Sequence, residues 1–160
     1  MSNRVATATM LIRCSVAEAF EAFTNPDKIT QFWLEATSGP LAEGAQVKWT
    51  FMVPGATETV TVTEFHDQRR IAFGWSDGLQ VALTFQPHGN EGARVSVAAT
   101  GFSSDQGIAE IVDATEGFSV VLCDLKTLLE SGRSANLVRD KAALIAAARS
   151  DAKPDASTSS

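Results

Sequence analysis

The histidines are the side chains best suited to acid–base chemistry, because an unperturbed imidazole titrates near pH ~6.5. The sequence contains two, His66 and His88. His66 precedes Asp67 at a predicted turn, and His88 lies within the turn sequence Pro87-His88-Gly89. Histidines in turns normally face solvent. We therefore interpret both as exposed turn residues and predict no catalytic residue.

Three polar side chains near the ends of predicted strands, Glu64, His66 and Arg70, are candidates to anchor the polar end of a ligand. Glu35 and Asp77 occupy comparable positions. Charged residues at strand ends are commonly just solvated, and that interpretation stays open beside the first. The sequence shows no Ser/His/Asp order, no phosphate-binding glycine loop and no pair of carboxylates at a catalytic spacing.

Metal ligation has little support in the sequence. Cys14 and Cys123 are the only cysteines, and neither belongs to a CxxC or Cys/His pattern of the kind found in zinc sites. An iron centre of the oxygenase type needs two histidines and a carboxylate, whereas His66 and His88 are each predicted at a strand end. We predict no metal, no cofactor and no disulfide.

The elements that would position these groups begin with a strand at 5–13, indicated by its alternating side chains. Ser15 followed by Glu18 is the capping-box signature of a helix start. Asn25-Pro26-Asp27 ends that helix and opens a second short one, because proline suits the first turn. Two short helices are therefore predicted after the first strand.

From Gly39 onward the hydrophobic period falls to two, which is typical of strands. The turn pairs Pro54-Gly55 and Asp77-Gly78 separate some of these runs. Short turns between successive strands indicate an antiparallel meander, and the total is six strands. After the first strand, the predicted strands cover 45–53, 58–66, 70–75, 79–86 and 94–102.

A helical period begins after Gly101, with apolar residues on one side as far as Leu129. Gly132 ends this long helix, and a weaker helical segment covers 134–149. This second segment needs a surface to cover, which is either its own sheet or a second copy in a homodimer. The polar residues 151–160 have nothing to bury and are predicted to form a disordered tail.

Length and charge limit the class of protein. The 160 residues fit one domain, predicted over 1–150 with its core at 5–132. Thirteen basic against nineteen acidic residues give a formal charge of -6, which repels nucleic-acid phosphates and anionic membranes. No secretion signal occupies residues 1–8, and no apolar stretch approaches the ~18 residues that cross a bilayer. We predict a cytoplasmic protein without nucleic-acid or membrane partners.

This order of elements resembles the helix-grip fold of the START-like (SRPBCC) superfamily, which includes the birch pollen allergen. The stretch VAEAFEAFTNPDKI at 16–29, with Phe32-Trp33, looks like the opening of bacterial homologues of the heat-shock protein 90 ATPase activator. Thr115-Glu116-Gly117-Phe118 and the leucines after it are similar to that family's closing helix. The resemblance covers about 5–132 and implies an α+β fold, in which a six-stranded curved antiparallel sheet wraps around a long C-terminal helix.

The resemblance also implies a cavity between the sheet and the long helix that takes an apolar molecule. Cavities of this kind commonly measure about 300–1,000 Å³. The same side chains could instead simply fill a core, and the sequence does not decide which strand face points inward. The candidate lining residues are Phe32, Trp33, Trp49, Phe51, Trp75, Leu83, Phe85 and Phe102, followed on the long helix by Gly117, Phe118, Val121, Leu122 and Leu125.

Gly117 is unusual because glycine inside a helix costs ~1 kcal/mol relative to alanine. One interpretation is that a ligand or a strand approaches the helix there. The other is that the helix starts near Glu116, which would make Gly117 an ordinary residue of the first turn.

The main hypothesis is a non-catalytic carrier or sensor of a small hydrophobic molecule. The first alternative is a cyclase- or hydrolase-type enzyme that uses His66, Glu64 or Arg70, and it predicts a buried polar group of perturbed pKa in the pocket. The second is a co-chaperone-like, stress-related interaction module that binds protein through exposed apolar edges near Phe32 and Trp33.

Overall fold

The computed structural model describes residues 4–103 and 107–152. Its strands are β1 Ala6–Ile12, β2 Leu34–Thr37, β3 Gln46–Phe51, β4 Thr57–His66, β5 Arg70–Gly74, β6 Gln80–His88 and β7 Gly92–Thr100. Its helices are α1 Val16–Thr24, α2 Pro26–Phe32, α3 Gly107–Ser131 and α4 Leu137–Ala152. Within the described residues the strands form one curled antiparallel sheet in the order β1-β7-β6-β5-β4-β3-β2. The α+β fold with a long C-terminal helix is confirmed.

The sheet has seven strands in the described part of the chain, so the prediction of six was wrong by one. The additional strand, β2, has only four residues and follows α2 directly. It pairs with β3 through Leu34 opposite Phe51 and Thr37 opposite Trp49, with a bulge between Leu34 and Ala36. A run this short and interrupted by a bulge has no visible alternation in the sequence.

The two short helices begin where the local sequence indicates. Ser15 Oγ accepts a hydrogen bond from the Glu18 backbone N–H at 3.0 Å, while Glu18 Oε1 accepts one from the Ser15 backbone N–H at 3.2 Å. This reciprocal pair is the capping box of α1. Asn25 caps α2 by accepting from the Asp27 N–H at 2.9 Å, and Pro26 takes the first helical position.

The inner face of the sheet is the face that carries Trp49, whose side chain is only 1% exposed. A bulge in β4 changes which residues share this face, because Val62 lies opposite Phe73 whereas Glu64 lies opposite Ala72. As a result Phe65 packs against the core and Glu64 is exposed. The bulge thus removes a carboxylate from the interior.

Aromatic rings fill the space between the sheet and the helices. Trp49 lies at the centre, with its ring centroid 4.9 Å from Trp33, 5.2 Å from Phe73 and 6.1 Å from Phe51. All three contacts are edge-to-face, the geometry that aromatic pairs prefer. This packing leaves the region around Trp49 without room for a ligand.

The long helix α3 packs along β1 and is fastened at its C-terminal end. Lys126 Nζ donates to the Leu11 carbonyl at 2.7 Å, and the Arg13 N–H donates to Glu130 Oε2 at 2.8 Å. Gly132, with φ +83°, follows the last residue of α3, as the sequence indicates. Helix α4 continues through Ala152, into the stretch expected as a tail, and 153–160 lie outside the described residues.

Candidate ligand-binding groove

A groove of about 310 Å³, called here the α4 groove, opens between one end of the sheet, α3 and α4. On the sheet side, the rings of Phe51 and Trp75 form its wall together with Leu79. The turn between β3 and β4 adds apolar side chains at the rim. These rim residues are Met52, Val53 and Ala56.

The α3 side of the groove is built around Phe118, which is 6% exposed. Its ring centroid lies 6.4 Å from that of Trp75 and 6.3 Å from that of Trp33. Ala114, Gly117, Val120 and Val121 complete this wall. The innermost surface is therefore aromatic and comes from both the sheet and the helices.

Helix α4 supplies the outer wall through one face. The residues that line the groove follow helical spacing, at i, i+3, i+4, i+7 and i+11, so they lie on one side of the helix. Three of them are apolar and two are cationic. They are Val138, Lys141, Ala142, Ile145 and Arg149.

A buried carboxylate positions α4 over the groove. Asp124 of α3 is 1% exposed and accepts hydrogen bonds from the Val138 N–H at 3.0 Å and from Ser134 Oγ at 2.5 Å. Thr127 Oγ1 also lies within 3.3 Å of its Oδ1 atom. Asp124 was not predicted as a functional residue, although an acidic residue between Leu122 and Leu125 on a predicted buried stripe is a signal that the sequence contains.

Two exposed ion pairs also hold α4. Arg139 Nη1 lies 3.1 Å from Glu35 Oε1 on β2, and Lys141 Nζ lies 2.9 Å from Glu116 Oε1 on α3. Each contributes roughly 0–1 kcal/mol, because both pairs are solvated. Glu35 is therefore part of the attachment of α4 rather than a lining residue.

Trp75 carries an unusual polar atom. Its indole Nε1 is buried and has no hydrogen-bond partner, and it is the one such side-chain nitrogen or oxygen in the described part of the chain. An unsatisfied buried donor costs ~1–3 kcal/mol. Such exceptions often occur at functional sites, and this one belongs to a residue of the groove wall.

The predicted lining residues divide into two groups and one exception, Phe102. Those that do line the groove are Trp33, Phe51, Trp75, Gly117, Phe118 and Val121. Those that are at most 2% exposed and fill the core instead are Phe32, Trp49, Leu83, Phe85, Leu122 and Leu125. Phe102 is half-buried against the core and does not line the groove. The division arises because the aromatic rings around Trp49 close the interior, whereas a groove remains beneath α4.

Gly117 lies well inside α3, so the expectation of a helix start near Glu116 was wrong. No strand approaches it either, because a Cβ atom placed there meets no atom within 4 Å. Gly117 borders the groove, and the open space beside it is groove volume. The structure therefore excludes both a helix start and the approach of a strand at Gly117, and leaves this exposed glycine at the edge of the groove.

The predicted polar anchors do not reach the groove. Arg70 Nε donates to Glu64 Oε2 at 3.0 Å, and His66 Nε2 lies 3.8 Å from Glu64 Oε1, all on the β4–β5 hairpin. Glu64 and His66 are exposed because the β4 bulge turns Glu64 outward. His88 is exposed at the end of β6, and Asp77 caps its own turn by accepting from the Leu79 N–H at 2.9 Å.

Two side chains outside the groove have shifted pKa values. Burial raises the pKa of the Cys14 thiol to about 11, with further contributions from Glu18 and Glu130. The hydrogen bonds from Lys126 and from the Arg13 backbone lower the pKa of Glu130. Within 4–103 and 107–152, no group of three or more His, Cys, Asp and Glu side chains is arranged to hold a metal ion.

The fold and its groove define an α+β helix-grip protein with an apolar site under its C-terminal helix. The chain belongs to the family described as Activator of Hsp90 ATPase homolog 1-like protein, whose model matches residues 13–130. This agrees with the resemblance seen in the sequence. No curated protein shows significant sequence similarity to the chain.

Solved structures share this fold at low sequence identity. The protein SSP2350 from Staphylococcus saprophyticus is 23% identical, with 81% of this chain and 94% of that chain covered and a TM-score of 0.73. The Aha1 dimer from Colwellia psychrerythraea is 18% identical, with coverages of 81% and 98% and a TM-score of 0.72. CalU16 from Micromonospora echinospora is 17% identical, with coverages of 90% and 86% and a TM-score of 0.66.

Proposed function

We propose that this chain binds a small hydrophobic molecule in the α4 groove and acts as its carrier or sensor. The observation that carries the proposal is the aromatic lining of the groove, formed by Trp33, Phe51, Trp75 and Phe118, next to a core that is otherwise closely filled. Apolar concave sites with few polar groups are the usual form of small-molecule sites, and ~300 Å³ is the lower end of their size range.

The groove volume suits a ligand with about two fused rings. Burying about 150–250 Å² of aromatic surface contributes ~4–6 kcal/mol at ~25 cal/mol per Å². This corresponds to dissociation constants from roughly millimolar to tens of micromolar before any polar contact is added. The expected affinity is thus within reach of a fluorescence titration.

A direct test uses Gly117, where added atoms occupy the groove without a clash. We expect N-phenyl-1-naphthylamine, a neutral fluorescent probe, to bind the natural protein and the variant Gly117→Ala. Gly117→Leu should fold but lose binding, because its side chain occupies the groove. If a folded Gly117→Leu protein bound the probe as tightly as the natural protein does, the α4 groove would not be the binding site.

Native mass spectrometry of freshly purified protein complements this titration. A retained small molecule that is released on denaturation, and that is absent from Gly117→Leu, would identify the natural ligand. The same mass spectrum would also report the number of subunits. A retained molecule that survives the Gly117→Leu change would have to be bound elsewhere.

The enzyme alternative gains no support from Glu64, His66 or Arg70, because none of them lines the groove. It predicts that neutralising these residues alters a reaction at the site. The binding proposal predicts that Arg70→Gln and Glu64→Gln leave probe affinity unchanged. Either variant also serves as a control for the substitutions in the groove.

The interaction-module alternative requires exposed apolar edges near Phe32 and Trp33. These side chains are 0% and 5% exposed, so that surface does not exist in this structure. A stress-related or co-chaperone-like role would need a different contact surface. The carrier proposal is therefore preferred over it.

A homodimer is a separate proposal for the assembly of the chain. The apolar face of the segment at 134–149 is already turned toward the α4 groove, whereas Ile108 and Val112 on α3 are 72% and 61% exposed and lie one helical turn apart. The related Aha1 protein is a dimer in solution. Light scattering on the natural protein and on Ile108→Ser/Val112→Ser tests this, with a monomeric natural protein as the contradicting result.

No helix in the described residues is both long and apolar enough to cross a membrane. The exclusion of nucleic-acid and anionic-membrane partners rests on the net negative charge of the sequence, and the cytoplasmic location stays a prediction from the sequence. Fractionation of cells that express the tagged chain checks the location.

A further inference from the structure

The charges that line the α4 groove are opposite in sign to the charge of the protein. The chain carries thirteen basic and nineteen acidic residues. The groove nevertheless has two cationic lining residues, Lys141 and Arg149, and no aspartate or glutamate among its described lining residues. A positively charged site in an acidic protein favours an anionic ligand over a neutral or cationic one.

Lys141 and Arg149 differ in whether their charge is free to bind a ligand. Lys141 Nζ already contacts Glu116 Oε1 at 2.9 Å, so its charge is largely compensated. The Arg149 side chain is exposed, and among the described residues it makes no ion pair or hydrogen bond. Arginine also binds carboxylates in a bidentate geometry that lysine lacks.

Helix geometry separates the two groups along the groove. Eight residues at ~1.5 Å each place Lys141 and Arg149 about 12 Å apart along the α4 axis. Arg149 also borders a smaller cleft beside Val53 and Pro54, which puts it at the mouth of the groove. A ligand with its rings among the aromatic side chains can therefore present one polar end to Arg149.

Resting on the binding function above, we propose that the ligand is an aromatic or similarly compact apolar molecule with one carboxylate, which pairs with Arg149. The hydrophobic wall supplies most of the affinity. The guanidinium supplies orientation and selects the anion over its neutral analogue.

The test compares 2-naphthoate with 2-naphthamide, which has the same shape but no charge, by calorimetry at pH 7 and low salt. We expect naphthoate to bind roughly fivefold more tightly, the size of one partly exposed ion pair. Arg149→Gln should abolish this preference and leave the affinity for naphthamide unchanged. Arg133→Gln is the matched control, because Arg133 is exposed in the loop before α4 and does not line the groove.

The outcomes separate the two proposals. Failure of both probes to bind would overturn the binding function itself. Equal affinities for naphthoate and naphthamide in the natural protein would overturn the anion selectivity and leave apolar binding intact. A preference that survives Arg149→Gln but is lost in Lys141→Gln would overturn the assignment to Arg149. Loss of the preference in Arg149→Gln alone would establish it.

Discussion

The Asp124 carboxylate on α3 accepts a hydrogen bond from the backbone N–H of Val138, with Oδ2 and N 3.0 Å apart, at the first turn of α4. The same carboxylate binds Ser134 Oγ in the loop before that helix. A helix start needs acceptors for its free N–H groups. Asp124 supplies one from a neighbouring helix, and so fixes the outer wall of the groove.

Replacing Asp124 with alanine should lower the free energy of unfolding by about 1–3 kcal/mol, because the half-buried donors of Val138 and Ser134 lose their buried acceptor. Chemical denaturation measures this change. Asp113→Ala, at an exposed position of the same helix, is the control and should stay within ~0.5 kcal/mol. A similar small effect for Asp124→Ala would show that α4 is held by other contacts.

Removing the Trp49 ring should lower the free energy of unfolding more than any substitution in the groove. Trp49→Ala deletes a side chain that is 1% exposed and contacts three other aromatic rings. We expect a loss of ~3–5 kcal/mol in unfolding free energy, measured by denaturation. If that variant does not fold, Trp49→Phe gives a smaller loss of the same sign. A stability equal to that of Val112→Ala, an exposed position, would contradict the central role of Trp49.

Cys14 should react slowly with iodoacetamide at neutral pH. Its pKa is raised to about 11, so the reactive thiolate is scarce at pH 8, and its population increases about tenfold per pH unit up to pH 10. Alkylation rates of the Cys123→Ala variant, followed by mass spectrometry, test this slope. The same protein unfolded in guanidinium is the control, with a rate that levels off above the ordinary thiol pKa of ~8.5. A plateau near pH 9 in the folded protein would contradict the raised pKa.

Glu130 should give a small part of the pH dependence of stability. Its pKa is lowered from 4.5 in the folded state, chiefly by the hydrogen bond from Lys126, so the folded state favours the ionised carboxylate. The contribution is full above pH ~4.5 and is lost as the pH falls through the lower folded value. The side chain is partly exposed, which limits the effect to under ~1 kcal/mol.

Unfolding free energies of Glu130→Gln and of the natural protein, measured from pH 7 to pH 3, test this expectation. Their difference should shrink as the pH falls. Glu43→Gln, at an exposed loop position, controls for the general loss of one negative charge. A difference that is constant or grows on acidification would have the wrong sign.

The sequence predicted the elements whose signals are local. The Ser15–Glu18 capping box, Pro26 at the start of α2 and Gly132 after α3 each depend on backbone groups a few residues away. The alternating runs of the longer strands likewise indicate one buried face. These features need no knowledge of distant contacts, so they could be identified before the fold was known.

The sequence alone determined the α+β class, the family resemblance and a set of apolar residues rich enough to build both a core and a groove. Only the tertiary structure decided which of these residues fill the core and which line the groove. Trp49 fills the core whereas Trp75 borders the groove, although the sequence predicted both in alternating strands. The β4 bulge turns Glu64 outward, and Asp124 brings α4 over Gly117. Each of these outcomes depends on contacts between residues far apart in the chain, which periodicity and spacing do not specify.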